Sequence, residues 1–239
     1  MVHKVKAVVV REKDAPVSLE TILVPDPGPG EALVDILTCG VCHTDLHYKQ
    51  GGIGDVDNNV WIVGNNEECV IIDSPHDAAA IINQVKGRKV LAILLTHAHN
   101  DHIGAAREVA DAVGAPIYLN PEDQVLWEQV YPDSKPDRDV ADGDEFQVGG
   151  ATLRAIHTPG HSPGSTCFHL ESEATVFTGD TLFNGGPGAT GRSYSDYPTI
   201  LTSIRERLLG LPADTVVRTG HGEDTTIGAE RETLAKVPQ

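Results

Sequence analysis

The sequence predicts a layered α/β fold, and three observations point there. Strand-like and helix-like segments interleave from about residue 57 onward. The 239 residues are 40% hydrophobic and 22% charged, sufficient to bury the core of one large domain or two small ones. Gly (24) and Pro (15) are plentiful while aromatic residues make up 5%, which suits many tight turns between short elements.

Before residue 57 the β-branched runs Lys4–Val10, Ser18–Val24 and Ala32–Leu37 read as strands. Pro25-Asp26-Pro27-Gly28-Pro29-Gly30 punctuates the last two, and Gly51, Gly52 and Gly54 form a joint. Asn59–Val63 and Glu68–Asp73 then predict a hairpin turning at Gly64-Asn65-Asn66. Asp77–Val85 has helical spacing, and the continuous apolar run Val90–Thr96 suits a strand buried on both faces. Ile103–Val113 predicts a helix, Pro116–Leu119 a strand, and Pro121–Val130 a helix opened by proline. Glu145–Val148, Thr152–Ile156, Thr166–Leu170 and Thr175–Thr178 are strands at hairpin spacing. A helix over Thr199–Leu209, a strand over Thr215–Thr219 and a helix over Ala229–Lys236 complete the pattern.

Eighteen Lys and Arg stand against 35 Asp and Glu, a formal net charge of -17. So acidic a surface repels phosphate backbones and anionic headgroups, which argues against nucleic-acid and membrane partners. The longest apolar runs are strand-length, and the N-terminus lacks the pattern of a signal peptide. Four Cys do not make a disulfide framework in a chain this long, so a cytoplasmic location is expected.

The 11 His are the informative excess. Three lie in Thr96-His97-Ala98-His99-Asn100-Asp101-His102, directly after the buried strand. Three imidazoles and a carboxylate at a rigid strand end supply what borderline-soft divalent cations require. Gly104 follows, and is expected to permit a sharp strand-to-helix bend. Thr158-Pro159-Gly160-His161-Ser162-Pro163-Gly164, Thr178-Gly179-Asp180-Thr181-Leu182-Phe183 and Thr219-Gly220-His221-Gly222 share this form. Each sets one ligand type in a Gly-bounded turn after a strand, where chemistry collects in α/β folds.

The HxHxDH hexad and the PGHSPG, GDTLF and TGHG turns, in this order, resemble the metallo-β-lactamase fold hydrolases, nearest their short glyoxalase II-like members. The resemblance runs from about Asp57 to the C-terminus and implies an αββα sandwich with a two-metal site at one edge. It implies that His97, His99 and His161 bind the first metal, and that Asp101, His102 and His221 bind the second. Asp180 would bridge the two, and Asp73, at the end of a strand, would brace the hexad loop. The metals implied are two divalent ions, zinc first, with iron or manganese as alternatives. Two such cations about 3.5–4 Å apart acidify a bridging water from a pKa of about 15.7 towards about 7. The resulting hydroxide would attack an ester or thioester carbonyl, with Asp101 or Asp180 orienting it or shuttling its proton. No Gly-x-Ser-x-Gly elbow is present, which disfavours a covalent serine mechanism.

Lys6–Asp55, with Gly40-Val41-Cys42-His43-Thr44-Asp45, resembles the start of zinc-dependent alcohol dehydrogenases of the glutathione- or mycothiol-dependent formaldehyde dehydrogenase type. Cys39 and Cys42 are one half of a zinc site without a partner half, and no GxGxxG follows a strand. The expectation is a vestigial extension, residues 1–56, fused to a complete hydrolase domain, residues 57–239.

His3, His43, His47, His157 and His169 read as surface or packing residues, and Cys69 and Cys167 as core. Three residues are candidates for binding substrate. His76 sits where a loop can overhang the site, and Arg192 and Tyr194 lie in the Gly-rich loop Asn184–Tyr197 after Asp180. The function expected is hydrolysis of a small thioester, an S-acyl or S-formyl conjugate of a low-molecular-weight thiol, or of an ester. The alternative is an oxidoreductase on the same fold, similar to the one-iron persulfide dioxygenases. Filling of the second ligand set favours the hydrolase.

Overall fold

The computed structural model describes residues 2–9, 18–25 and 58–235. The chain divides into two units, Met1–Val56 and Asp57–Gln239. In the first, β1 (Val2–Val9) pairs antiparallel with β2 (Ser18–Pro25). The expected strand Ala32–Leu37, the Pro/Gly turn, Cys39, Cys42, His43, His47 and the Gly joint lie outside the described residues.

The second unit opens with the hairpin β3 (Trp61–Gly64) and β4 (Glu68–Ile72). Helix α1 (Ala78–Val85) follows, and Asp77 is its N-cap, accepting from Ala80 N–H at 2.9 Å. Strand β5 (Lys89–Leu94) leads to the short α2 (Asn100–Ile103) and then to α3 (Ala106–Val113). The single helix expected from Ile103 therefore begins only at Ala106. Gly104 is not a bend: its φ is -53°, ordinary for a helix. Its missing side chain serves a close approach, since a Cβ there would lie 2.5 Å from Pro75 O.

Strand β6 (Ile117–Leu119) precedes a 3-10 turn, Pro121–Asp123, that runs into α4 (Gln124–Val130). The two-residue β7 (Arg138–Asp139) is too short to leave a pattern in the sequence. Then come β8 (Glu145–Val148), β9 (Ala151–His157), β10 (Thr166–Leu170) and β11 (Thr175–Gly179). The supposed loop after Asp180 begins with a tight hairpin, β12 (Leu182–Phe183) and β13 (Gly186–Pro187). Helix α5 (Tyr197–Ser203) widens into a π turn, Ile204–Leu208; β14 (Val216–Thr219), β15 (Thr225–Thr226) and α6 (Ile227–Leu234) end the fold.

Two mixed sheets result, ordered β3-β4-β5-β6-β7 and β15-β14-β11-β10-β9-β8. The alternation of side chains along each strand builds the layers. In β4, Cys69 and Ile71 face the helices with Ile81, Val109 and Trp127, while Val70 and Ile72 pack with Leu153, Phe168 and Phe177 of the other sheet. Cys167, Val176 and Val217 turn the opposite way, onto Ile200 and Ile204 of the α5 segment and Ile227 of α6. Helices thus cover both outer faces of a two-sheet core, the αββα sandwich that the sequence resemblance implied. Among the described residues no helix is long and apolar enough to cross a membrane.

Candidate metal centre

Strands β4, β5, β9, β11 and β14 each end in a turn at one edge of the sandwich. These turns carry Asp73, Thr96–His102, Thr158–Gly164, Asp180 and Gly220-His221. Backbone hydrogen bonds tie them to one another. Thr166 N donates to Thr96 O at 2.8 Å, Ser74 N to His102 O at 2.8 Å, and Gly220 N to Gly179 O at 2.8 Å.

The seven expected ligand positions fall together. His97, His99 and His161 form one group and Asp101, His102 and His221 another, while His97, His102 and Asp180 form a third that joins them. Within the first group His99 Nδ1 and His161 Nε2 are 2.9 Å apart. Within the second, His102 Nε2 and His221 Nε2 are 3.2 Å apart, and Asp101 Oδ2 is 3.5 Å from His221 Nε2. Asp180 lies between: Oδ1 is 3.2 Å from His102 Nε2 and 3.6 Å from His221 Nε2, and Oδ2 is 3.6 Å from His161 Nε2.

Surrounding groups fix the rings. Asp73 adopts a left-handed backbone (φ 62°), uncommon for a residue with a side chain. Its carboxylate accepts from Thr96 N and Thr96 Oγ1, both at 2.7 Å, and from His102 Nδ1 at 2.8 Å. His161 Nδ1 donates to Ala189 O at 2.9 Å. Both rings are left with Nε2 aimed into the cluster.

The electrostatics match. Burial pushes His97 well below the usual imidazole range, helped by the neighbouring rings, and pushes His161 down as well. Burial, with His161 next, takes His99 down to about 4. Burial opposes charge on His102, but Asp180 and Asp73 overcome it and hold its pKa well above the usual value. Burial likewise opposes ionisation of Asp180 and Asp101. Contact with His102 nonetheless takes Asp180 to about 2, and the His221 hydrogen bond holds Asp101 well below the carboxylate range. At neutral pH the cluster therefore combines ionised carboxylates with His97, His99 and His161 in the form that keeps a lone pair, while His102 must release a proton for a cation to bind there.

A divalent cation fits this donor set. His97 Nε2 is buried with no hydrogen-bond partner, an orphaned lone pair facing the cluster. With zinc–nitrogen bonds of about 2.0–2.1 Å, tetrahedral neighbours stand about 3.3 Å apart, close to the ring spacings observed.

Two residues of this site carry no motif. Asp123 is fully buried and accepts from Ala98 N and Ser162 Oγ, each at 2.8 Å, and from Gly164 N at 2.6 Å. It joins the hexad loop to the turn bearing His161. Asn58 holds its side-chain amide nitrogen 3.4 Å from His102 Nε2 and 3.3 Å from His221 Nε2.

Of the substrate candidates, His76 is exposed and reaches the cluster through Asn58, with Nε2 3.1 Å from Asn58 Oδ1. Arg192 and Tyr194 are exposed, Tyr194 at 53% and with a left-handed φ of 71°. Their loop is anchored beside His161 by Asp196 N donating to Gly160 O at 2.7 Å. His157, expected as a packing residue, braces the same turn through Nε2 and Pro163 O at 2.9 Å. Next to His99 lies an open bay of about 380 Å³ lined by Ala98, Asn100, Leu126, Gln129 and Val130.

Residues 53–221 match the family model of the metallo-beta-lactamase superfamily. The chain is 36% identical to the probable metallo-hydrolase YqgX of Bacillus subtilis over 203 residues, 78% of this chain and 95% of that protein. It is 33% identical to the hydroxyacylglutathione hydrolase GloC of Haemophilus influenzae over 187 residues, 72% and 87% of the two chains. The crystal structure of TTHA1623 in a di-iron-bound form superposes with a TM-score of 0.66 at 34% identity, covering 76% of this chain and 96% of that one.

Proposed function

We propose that this chain, which belongs to the metallo-beta-lactamase superfamily, hydrolyses a small thioester, an S-acyl or S-formyl conjugate of a low-molecular-weight thiol. The observation that carries the reading is the convergence of two triads on one shared carboxylate. His97, His99 and His161 would hold one divalent cation, Asp101, His102 and His221 a second, and Asp180 would face both. Cations held there would lower the pKa of a bound water to near neutral and would polarise the substrate carbonyl.

The chain's own residues do the rest. Asp73 and Ala189 O keep the His102 and His161 rings turned inward, so the donor set is built before substrate arrives. Asp101, held ionised, is placed to accept a proton from the attacking water. A thiolate leaves without a strong general acid, which suits a cluster whose imidazoles would all be ligands. The bay beside His99 is uncharged and takes the acyl group. Arg192 and Tyr194 supply a cation and a ring for the polar end of the thiol. The name of the GloC relative supports a thioester, and a one-iron dioxygenase would not need His102 or His221 as ligands.

The test pairs metal analysis with turnover of S-lactoyl, S-formyl and S-acetyl conjugates of glutathione and mycothiol. Oxygen uptake with the matching persulfides is recorded in parallel. Thioester cleavage with about two metals per chain and no oxygen uptake is expected. Iron-dependent oxygen consumption without thioester cleavage overturns the reading.

A further inference from the structure

Asn58 reaches the second triad from outside the five turns at this edge of the sandwich. Its backbone forms a single antiparallel bridge with His221. Asn59 continues the lacing: its N–H donates to Gly220 O at 2.8 Å, and its side-chain amide to Thr219 O at 3.1 Å and Gly222 O at 3.0 Å. The Asn58 main chain is therefore fixed to the turn that carries His221. Its carboxamide is oriented as well, because His76 Nε2 donates to Oδ1 at 3.1 Å and so turns the NH2 group toward His102 and His221.

That NH2 group faces ring nitrogens that would be ligands. A nitrogen bound to a cation has no lone pair left to accept a hydrogen bond. With the cluster loaded, the NH2 group needs another acceptor at the same spot. The acceptors that enter there are oxygen atoms, of water or of the substrate carbonyl.

We infer that Asn58 is a catalytic hydrogen-bond donor to the substrate's carbonyl oxygen at the Asp101–His102–His221 triad, and that His76 is the residue that positions it. The inference rests on the proposed hydrolysis and deepens it. As the carbonyl is attacked, negative charge grows on its oxygen, and a neutral donor already aimed there gains strength with that charge. Removing one such donor from a closed site costs on the order of 10²–10³ in kcat. Asn58 is half-buried, so a loss of about 10–100-fold is expected. Without its orienting partner the amide can rotate, and loss of His76 should cost less than loss of Asn58.

The experiment compares the full-length protein with Asn58→Ala, Asn58→Asp and His76→Ala, each loaded with cobalt. Metal content, thermal midpoint, kcat and KM are measured, together with affinity for acetate, a product-like carboxylate, read from the cobalt visible spectrum. The expected result for Asn58→Ala and Asn58→Asp is two metals retained, kcat down about 10–100-fold with KM within threefold, and acetate bound about tenfold more weakly. His76→Ala should show the same pattern at reduced size. Full kcat in Asn58→Asp overturns the donor role, since a carboxylate cannot donate. Loss of one metal in Asn58→Ala overturns it too, by making Asn58 a ligand. If the unmodified protein cleaves no thioester, the proposed function fails alone, and the acetate affinities still decide whether Asn58 donates to a bound oxygen.

Discussion

Gly220 lies against Asp180 so closely that no side chain fits between them. A Cβ on Gly220 would run into Asp180 Oδ1 and come within 2.8 Å of His102 Cε1. The first glycine of the TGHG turn is therefore a consequence of the Asp180 carboxylate, whereas the second, Gly222, has a left-handed φ of 69°. Gly220→Ala should push Asp180 out of line with the two triads. The expected outcome is loss of at least one metal per chain by elemental analysis and a fall of more than tenfold in hydrolysis. A fully loaded, active Gly220→Ala protein would show that the carboxylate can shift without consequence.

Asp180 itself faces His102 and His221 with one oxygen and His161 with the other. Asp180→Asn keeps the volume and removes the charge. Metal stoichiometry should fall below two and most of the activity should vanish. Unchanged activity in this variant would place the reacting centre elsewhere.

The ligand set was legible because each member sits in a short local pattern: an apolar strand, a glycine, and a donor residue. Strand ends of the same sheet edge meet by topology, so the turns marked the residues from His97 to His221 that fall together, while their division between two metals came from the family resemblance. Asp123 and Asn58 were not legible for the opposite reason. Asp123 acts on Ser162 and Gly164 about forty residues away, and its place after Asn120-Pro121 already had a local explanation, since acids are common in a first helical turn. Asn58 meets a histidine 163 positions later in the chain. The division between α2 and α3 escaped notice because it goes with a tertiary contact, Ala105 N donating to Ser74 O at 2.9 Å rather than to its own helix. The β12–β13 hairpin is two residues a side, below the length at which alternation shows.

For residues 1–56 the expectation is functional silence in the proposed reaction. The stretch supplies Cys39 and Cys42 without the remaining ligands of a dehydrogenase zinc site and without a nucleotide-binding motif. Cys42→Ser should leave thioester hydrolysis within a few-fold, and the unmodified protein should show no alcohol- and NAD-dependent absorbance change. Such a change, abolished by Cys42→Ser, would restore a dehydrogenase role.

Asp123 gives the most direct test of how the first triad is held. Three donors, Ala98 N–H, Ser162 O–H and Gly164 N–H, converge on one buried carboxylate. A Cβ on Gly164 would lie 2.8 Å from Asp123 N, so the two turns meet there with no slack. Asp123→Ala strands all three donors, at about 1–3 kcal/mol for each one left unsatisfied. Partial relaxation brings the expected loss to about 2–5 kcal/mol, a fall in Tm of roughly 5–15 °C. Ala98 stands between His97 and His99, and Ser162 follows His161, so the same change should weaken metal binding at that triad about 10–100-fold. The Asp101–His102–His221 triad, held by Asp73, should be spared. A cobalt titration of Asp123→Ala should therefore show one tight site and one weakened site. Equal weakening of both, at an unchanged Tm, would mean that Asp123 does not set the geometry of the His97–His99–His161 group.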